Sequence, residues 1–328
     1  MKEVILRTVS NADGIQRIDR WFKKHYPALS HIQLQKLLRS GQVRLDGKRV
    51  EASERVHPGM VVRVPPLPDA KPHTPGHDKK KATVSDRLVK DLMSRILYRD
   101  DDVIVLNKPF GLAVQGGTGT TQHLDGALDA LRFGSDERPR LVHRLDRDTA
   151  GVLILARHQA AARNLASSFA KHNLRKYYWA VTLGVPKLKQ GKVDAALAKS
   201  EGSYEKMEFN EEDGKDAITY YKVVQTADKT AAWMALWPVT GRTHQLRAHM
   251  ALLGTPMIGD PKYGEKDELG LPKKLHLFAR RLIIPHPGNK RKMIDAVAPI
   301  PEHFKPAWDY FGFQGDDDGD PFAELYHE

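Results

Sequence analysis

The 328-residue chain contains no cysteine. It can therefore form no disulfide and no thiolate metal site, a composition that fits a reducing compartment. No apolar run approaches the roughly 18 residues of a membrane-spanning helix. The start, Met1-Lys2-Glu3-Val4-Ile5-Leu6, also lacks the apolar core of a signal peptide. A soluble, cytoplasmic protein is expected. Acidic charge is scarce in one region only. Residues 1–99 hold 21 Lys and Arg against 10 Asp and Glu, whereas residues 100–328 hold 31 against 31. The whole excess of +11 is thus N-terminal. Such a module is either the electrostatic footprint for a polyanion, most often nucleic acid, or a basic solvated face.

Four segments follow from the patterning: a small basic module at 1–65, a linker at 66–88, a large domain at 89–312 and an acidic tail at 313–328. In the first, Arg17-Ile18-Asp19-Arg20-Trp21-Phe22 opens a helix. A second runs from about Ser30, its N-cap, to Leu38, and Gly41 ends it. Two short strands, Gln42–Leu45 and Met60–Val64, are joined through turns at Asp46-Gly47 and Pro58-Gly59. From Pro65 to about Arg87, Pro, His, Lys and Asp dominate, so nothing can pack a core and a flexible linker is expected. Gly315-Asp316-Asp317-Asp318-Gly319-Asp320 reads as a disordered tail.

The large domain is organised around Leu141-Val142-His143-Arg144-Leu145-Asp146-Arg147-Asp148-Thr149-Ala150-Gly151. The apolar run Val152–Ala156 that follows predicts a buried strand, so the polar residues before it occupy a loop on a rigid mount. Among Arg144, Arg147 and His143, the Asp146 carboxylate is favoured in its ionised form. It could serve as nucleophile, general base, metal ligand or half of a salt bridge, and spacing alone favours the salt bridge. Asp102–Leu106 reads as a further buried strand closing in Asn107-Lys108-Pro109-Phe110-Gly111, with Lys108 structural or a phosphate contact. Gly116-Gly117-Thr118-Gly119-Thr120 lacks the Gly-Lys-Ser/Thr ending of a nucleotide loop and reads as a glycine-rich active-site loop. A helix is expected at about 159–171, then strands at 175–184, 203–209, 218–225 and 231–239 of a largely antiparallel sheet. A turn and helix follow at Thr240-Gly241-Arg242-Thr243-His244-Gln245-Leu246-Arg247, closed by Gly254 and Pro256. His244 and Arg247, three apart, would share a helix face. A metal site at His244, His249 and Asp260 is disfavoured, because i, i+5 spacing separates the histidines and no His-Glu-x-x-His occurs.

His-Arg-Leu-Asp-x-x-Thr-x-Gly, here ending at Gly151, resembles the hallmark of the RluA-type pseudouridine synthases. Lys-Pro-x-Gly at Lys108, Lys-x-Tyr-x-Ala at Lys176 and Thr-Gly-Arg-x-His-Gln-Leu-Arg at Thr240 match its other signatures in order. Ala150 stands where serine is usual. Gly41-Gln42-Val43-Arg44-Leu45-Asp46-Gly47 and the Arg-x-Asp start resemble the alpha-L (S-four-like) RNA-binding module. The resemblance implies an α+β chain: a small basic α/β RNA-binding module, then a mainly antiparallel-sheet catalytic domain with flanking helices. It implies Asp146, Tyr178 and Arg247 as catalytic residues, with Arg247 as the partner of Asp146. It also implies His143, Arg144, Arg242, His244 and Leu275 at the substrate, with Arg144 filling the place of the flipped base and Leu275 against it. Lys36, Arg39, Arg44, Lys48 and Arg49 would meet RNA phosphates. The implied reaction converts uridine in RNA to pseudouridine, with large-subunit ribosomal RNA as the substrate of the RluC-like branch and transfer RNA as the alternative. An isomerisation needs no cofactor or metal, and a monomer is expected. The rival readings are a non-catalytic RNA-binding or ribosome-assembly factor, and a metal hydrolase.

Overall fold

The computed structural model describes residues 4–67, 84–117, 120, 122–200, 206–264, 269–315 and 319–326. The chain divides into two compact units, residues 1–81 and 82–328.

In the first unit, helices Ile18–His25 and His31–Arg39 bury Trp21, Phe22, Leu34 and Leu38 with Val43, Val56, Val62 and Val64. Ser30 caps the second helix reciprocally with Gln33, satisfying two otherwise orphaned backbone donors. A four-stranded sheet runs in the order Ile5–Thr8, Val61–Val64, Arg44–Leu45, Lys48–Arg49. The strand Ile5–Thr8 is an addition to the expected elements. All four of its residues are exposed, so no apolar alternation marks it.

The second unit begins earlier than its first strand, with helix Asp86–Ser94 capped by Ser85 and anchored by the buried Leu92. Most of the preceding linker, residues 68–83, lies outside the described residues, as do parts of the glycine-rich loop and of the acidic tail. Among the described residues, ten strands form one mixed, mainly antiparallel sheet. The strand Met207–Phe209 is not part of it and pairs instead with Leu197–Lys199. Phe313 and Phe322 are buried with Trp179, Trp233 and Trp308, so the segment after 312 is not simply a free tail. Asp320 accepts hydrogen bonds from Arg175 and from the backbone of Phe322.

The centre of the sheet positions the loop of Asp146. Strand Ala150–Ala156 is buried throughout and pairs antiparallel with Val103–Lys108. On its other side it runs parallel to Leu277–His286 for one short step, Ala150 against Phe278 and Gly151 against Ala279. Gly151 has φ +109°, and a Cβ there would lie 2.1 Å from the Ala279 carbonyl oxygen. Only glycine permits this approach. Ala279 also pairs with Tyr178 across strand Arg175–Leu183, at a bulge between Tyr177 and Tyr178. One residue pair of the central strand therefore brings the Asp146 loop and Tyr178 together.

Candidate active site

A cavity of about 420 Å³ opens where these strands meet. Asp146 lies on its wall, half-buried, and its carboxylate accepts no hydrogen bond among the described residues. The backbone around it is pinned from both ends. Buried Lys108 donates from Nζ to the carbonyls of Pro109 at 3.0 Å, Leu112 at 2.8 Å and Arg147 at 3.2 Å, and the Gly111 amide donates to Arg147 as well. Lys108 is thus structural. Burial pulls its ammonium down to about 7, against the attraction of Asp148 and Asp146. Upstream, His143 Nε2 accepts the Ile154 amide at 3.0 Å while its ring stacks on Phe169 at 4.6 Å. Burial, reinforced by Lys176, lowers His143 to about 3 and keeps it neutral. Arg147 engages Asp148, leaving Asp146 free of both neighbouring charges as ion-pair partners.

Tyr178 shares the cavity wall, and its hydroxyl is pushed far above the ordinary tyrosine range by burial and then by the Asp146 charge. It stays a neutral phenol. Tyr177, next in the chain, points to the aromatic core beside Phe322 and Trp237.

The turn at 240–244 forms the facing wall. Gln245 holds it: its Oε1 accepts from Thr240 Oγ1 and the Arg242 amide, and its Nε2 donates to the Ile218 carbonyl and Thr219 Oγ1. Every polar valence of this buried amide is used. His244 is the N-cap residue of helix Gln245–Leu252, with a left-handed backbone, φ 50°, and its Nδ1 lies 3.3 Å from the Tyr263 hydroxyl in a hydrogen bond. It sits at the helix entry, and both it and Arg247 line the cavity. His249 lies inside, bonded to Thr219 and the Ala195 carbonyl.

Two site expectations require correction. Arg247 does not pair with Asp146. Its guanidinium grips Asp260 at 2.7 and 2.5 Å, with side chains 4% and 0% exposed. Asp146 acts on it only as a further charge. Asp260, in turn, accepts the amides of Lys262 and Tyr263 and is held below the usual carboxylate range by Arg247 and these amides despite its burial, which acts the other way. Second, Leu275 is 1% exposed, inside the core, and does not line the cavity. Strand Leu277–His286 begins two residues later, and Leu277 takes the wall. Arg144 and Arg242 are exposed at the cavity, the latter donating to the Asp216 carbonyl at 2.9 Å. In the first unit Lys36, Arg39, Arg44, Lys48 and Arg49 are all exposed, and Arg44 and Arg49 both approach Gly41, two residues past Arg39.

Residues 102–252 match the model of the RNA pseudouridylate synthase family, and residues 16–62 match that of the S4 domain. A curated relative, ribosomal large subunit pseudouridine synthase C of Rickettsia conorii, is 37% identical over 82% of this chain and 88% of its own length. The chain belongs to the RNA pseudouridylate synthase family. It is thereby an isomerase with an N-terminal RNA-binding module. The enzyme of the same name from Vibrio cholerae is 34% identical over 89% of this chain and 92% of its own. The solved structure of human RNA pseudouridylate synthase domain containing 4 superposes with a TM-score of 0.59 at 28% identity, covering 72% of this chain and 98% of that one.

Three groups in or beside the cavity of this synthase, Lys176 on its wall and Asp260 and Tyr263 next to its lining residues, have no local signature of that place. Lys176 was visible as the first position of Lys-x-Tyr-x-Ala, but nothing local shows that its side chain enters the cavity. Asp260 and Tyr263 sit within Gly259-Asp260-Pro261-Lys262-Tyr263-Gly264, and only tertiary pairing ties them to Arg247 and His244.

Proposed function

We propose that this synthase isomerises uridine in large-subunit ribosomal RNA, with Asp146 as the group that attacks. The observation that carries the proposal is the carboxylate of Asp146, the single free one on the cavity wall among the described residues, mounted on a loop that Lys108 and His143 hold from either side. The substrate follows from the names of the curated relatives, which act on the large ribosomal subunit.

A stacked base cannot rotate, so the uridine leaves its helix and enters the cavity. Arg144, exposed beside the loop, fills the vacated place. Breaking the bond at N1 and rejoining at C5 conserves atoms and oxidation state, which requires neither cofactor nor metal. Attack on the ribose, addition to the pyrimidine ring and support of a glycal all call on the same carboxylate. Tyr178 stacks on the base; because its phenol stays protonated it is not itself the base, and it helps removal of the C5 proton by orienting the group or water that accepts it. Arg247, locked by Asp260, supplies fixed positive charge towards Asp146 without neutralising it through a direct ion pair. His244 and Arg242 face the ribose and backbone. Lys36, Arg39, Arg44, Lys48 and Arg49 of the RNA-binding module contact phosphates elsewhere on the RNA. The cysteine-free composition suits the cytoplasm.

The test is tritium release from RNA labelled at uracil C5, comparing unmodified large-subunit ribosomal RNA with unmodified transfer RNA. Release from the ribosomal RNA supports the proposal. Release from transfer RNA alone replaces its substrate.

A further inference from the structure

Lys176 is a cavity cation that no carboxylate neutralises among the described residues. It enters from strand Arg175–Leu183 two residues before Tyr178, about 7 Å along an extended chain. Its Nζ donates to the Thr240 carbonyl at 3.2 Å, and no carboxylate pairs with it among the described residues. Burial lowers it to about 8, with no neighbouring charge opposing that shift. Asp146, the only acidic residue on the cavity wall among the described residues, makes no ion pair with it. Burying an ammonium without an anion costs stability, and replacing it by an apolar residue of similar length would remove that cost. A ligand that brings the anion would offset that cost.

The rest of this part of the cavity fits a nucleic-acid strand. Phe169, Leu174 and Trp237 supply apolar and aromatic surface, and Arg242 adds a second cation on the adjoining turn. An ammonium that lines the same cavity as the tyrosine two residues along its strand, with two donors to spare, suits a phosphodiester next to a base held at Tyr178.

We propose that Lys176, with the Thr240–Arg242 turn, forms a phosphate subsite that holds the phosphodiester adjoining the flipped uridine. The subsite rests on the reading of the cavity as the uridine site. It draws the strand in and sets its register, and Lys176 is a binding residue rather than a group that acts on the base.

The experiment compares wild type, Lys176→Met and Lys176→Arg on the unmodified large-subunit ribosomal RNA transcript, by tritium release and by filter binding across a salt series. Lys176→Met is expected to raise KM about tenfold with kcat nearly unchanged. It should also flatten the slope of log affinity against log salt by about 0.7, the loss of one phosphate contact. Lys176→Arg should restore both, and the melting temperature of Lys176→Met should equal or exceed that of wild type. Unchanged KM and salt slope in a folded Lys176→Met would overturn the subsite, as would a fall in kcat alone or a lowered melting temperature with unchanged slope, which marks a structural tether to Thr240. The binding arm separates this idea from the proposed function. A wild type that binds but releases no tritium removes the ribosomal-RNA synthase reading, while the difference in salt slope still decides on Lys176.

Discussion

Replacing Asp260 by Asn should destabilise the second unit by roughly 3–5 kcal/mol, the cost of leaving a buried guanidinium without its carboxylate. The geometry sets the size. Arg247 donates Nε to Asp260 Oδ2 and Nη2 to Oδ1, and both side chains are almost wholly shielded from water. Asn keeps one acceptor, but the other oxygen becomes an NH2 that faces the Nε–H donor or, if flipped, the amides of Lys262 and Tyr263. Either orientation leaves a buried donor unpaired. The measurement is urea unfolding followed by the fluorescence of Trp179, Trp233 and Trp308, which lie in one aromatic cluster of this unit. The folded Asp260 carboxyl titrates below its unfolded value. Its contribution is therefore complete above the unfolded pKa of about 4 and is lost as pH falls through the folded one. An unfolding free energy within about 1 kcal/mol of wild type at neutral pH would refute the view that this pair holds Arg247 in place.

Further outcomes follow from other contacts. Gly151→Ala should cost about 3 kcal/mol or more, because its Cβ would meet a backbone oxygen at 2.1 Å in a left-handed conformation; equal thermal stability would contradict this. His143 and His276, lowered by burial to about 3 and about 4, bind protons in the unfolded state first. Stability should fall on acidification from about pH 6.5, by at most about 1.4 kcal/mol per pH unit for each, and His143→Gln should flatten the slope in equilibrium unfolding. Tyr178→Phe removes a hydroxyl that makes no hydrogen bond within the described protein, so melting should be unchanged. If that hydroxyl helps remove the C5 proton, kcat should fall about 100-fold.

Much of the site was legible in the sequence because it is built from local runs. The branched stretch after Gly151 could only be a buried strand, so the position of the Asp146 loop followed. The Lys-x-Tyr-x-Ala motif singled out Tyr178, and the structure sets it on the cavity wall while its neighbour Tyr177 packs in the core, across the bulge between them. The losses were tertiary. The resemblance implied Arg247 as the partner of Asp146, yet Arg147 turns to Asp148 and Arg247 to Asp260, thirteen residues along. Leu275 and Leu277 have equal parity, and only the point where the strand starts decides which reaches the cavity. The acidic run before Phe322 masked an aromatic that the core recruits.

The most direct test of Asp146 as the attacking group is single-turnover tritium release by wild type and Asp146→Asn at saturating unmodified large-subunit ribosomal RNA, with RNA binding measured for both. The account predicts release by wild type, none above background by Asp146→Asn, and binding within a few-fold, since the carboxylate holds no part of the fold by hydrogen bond. Release by Asp146→Asn at the wild-type rate would contradict it.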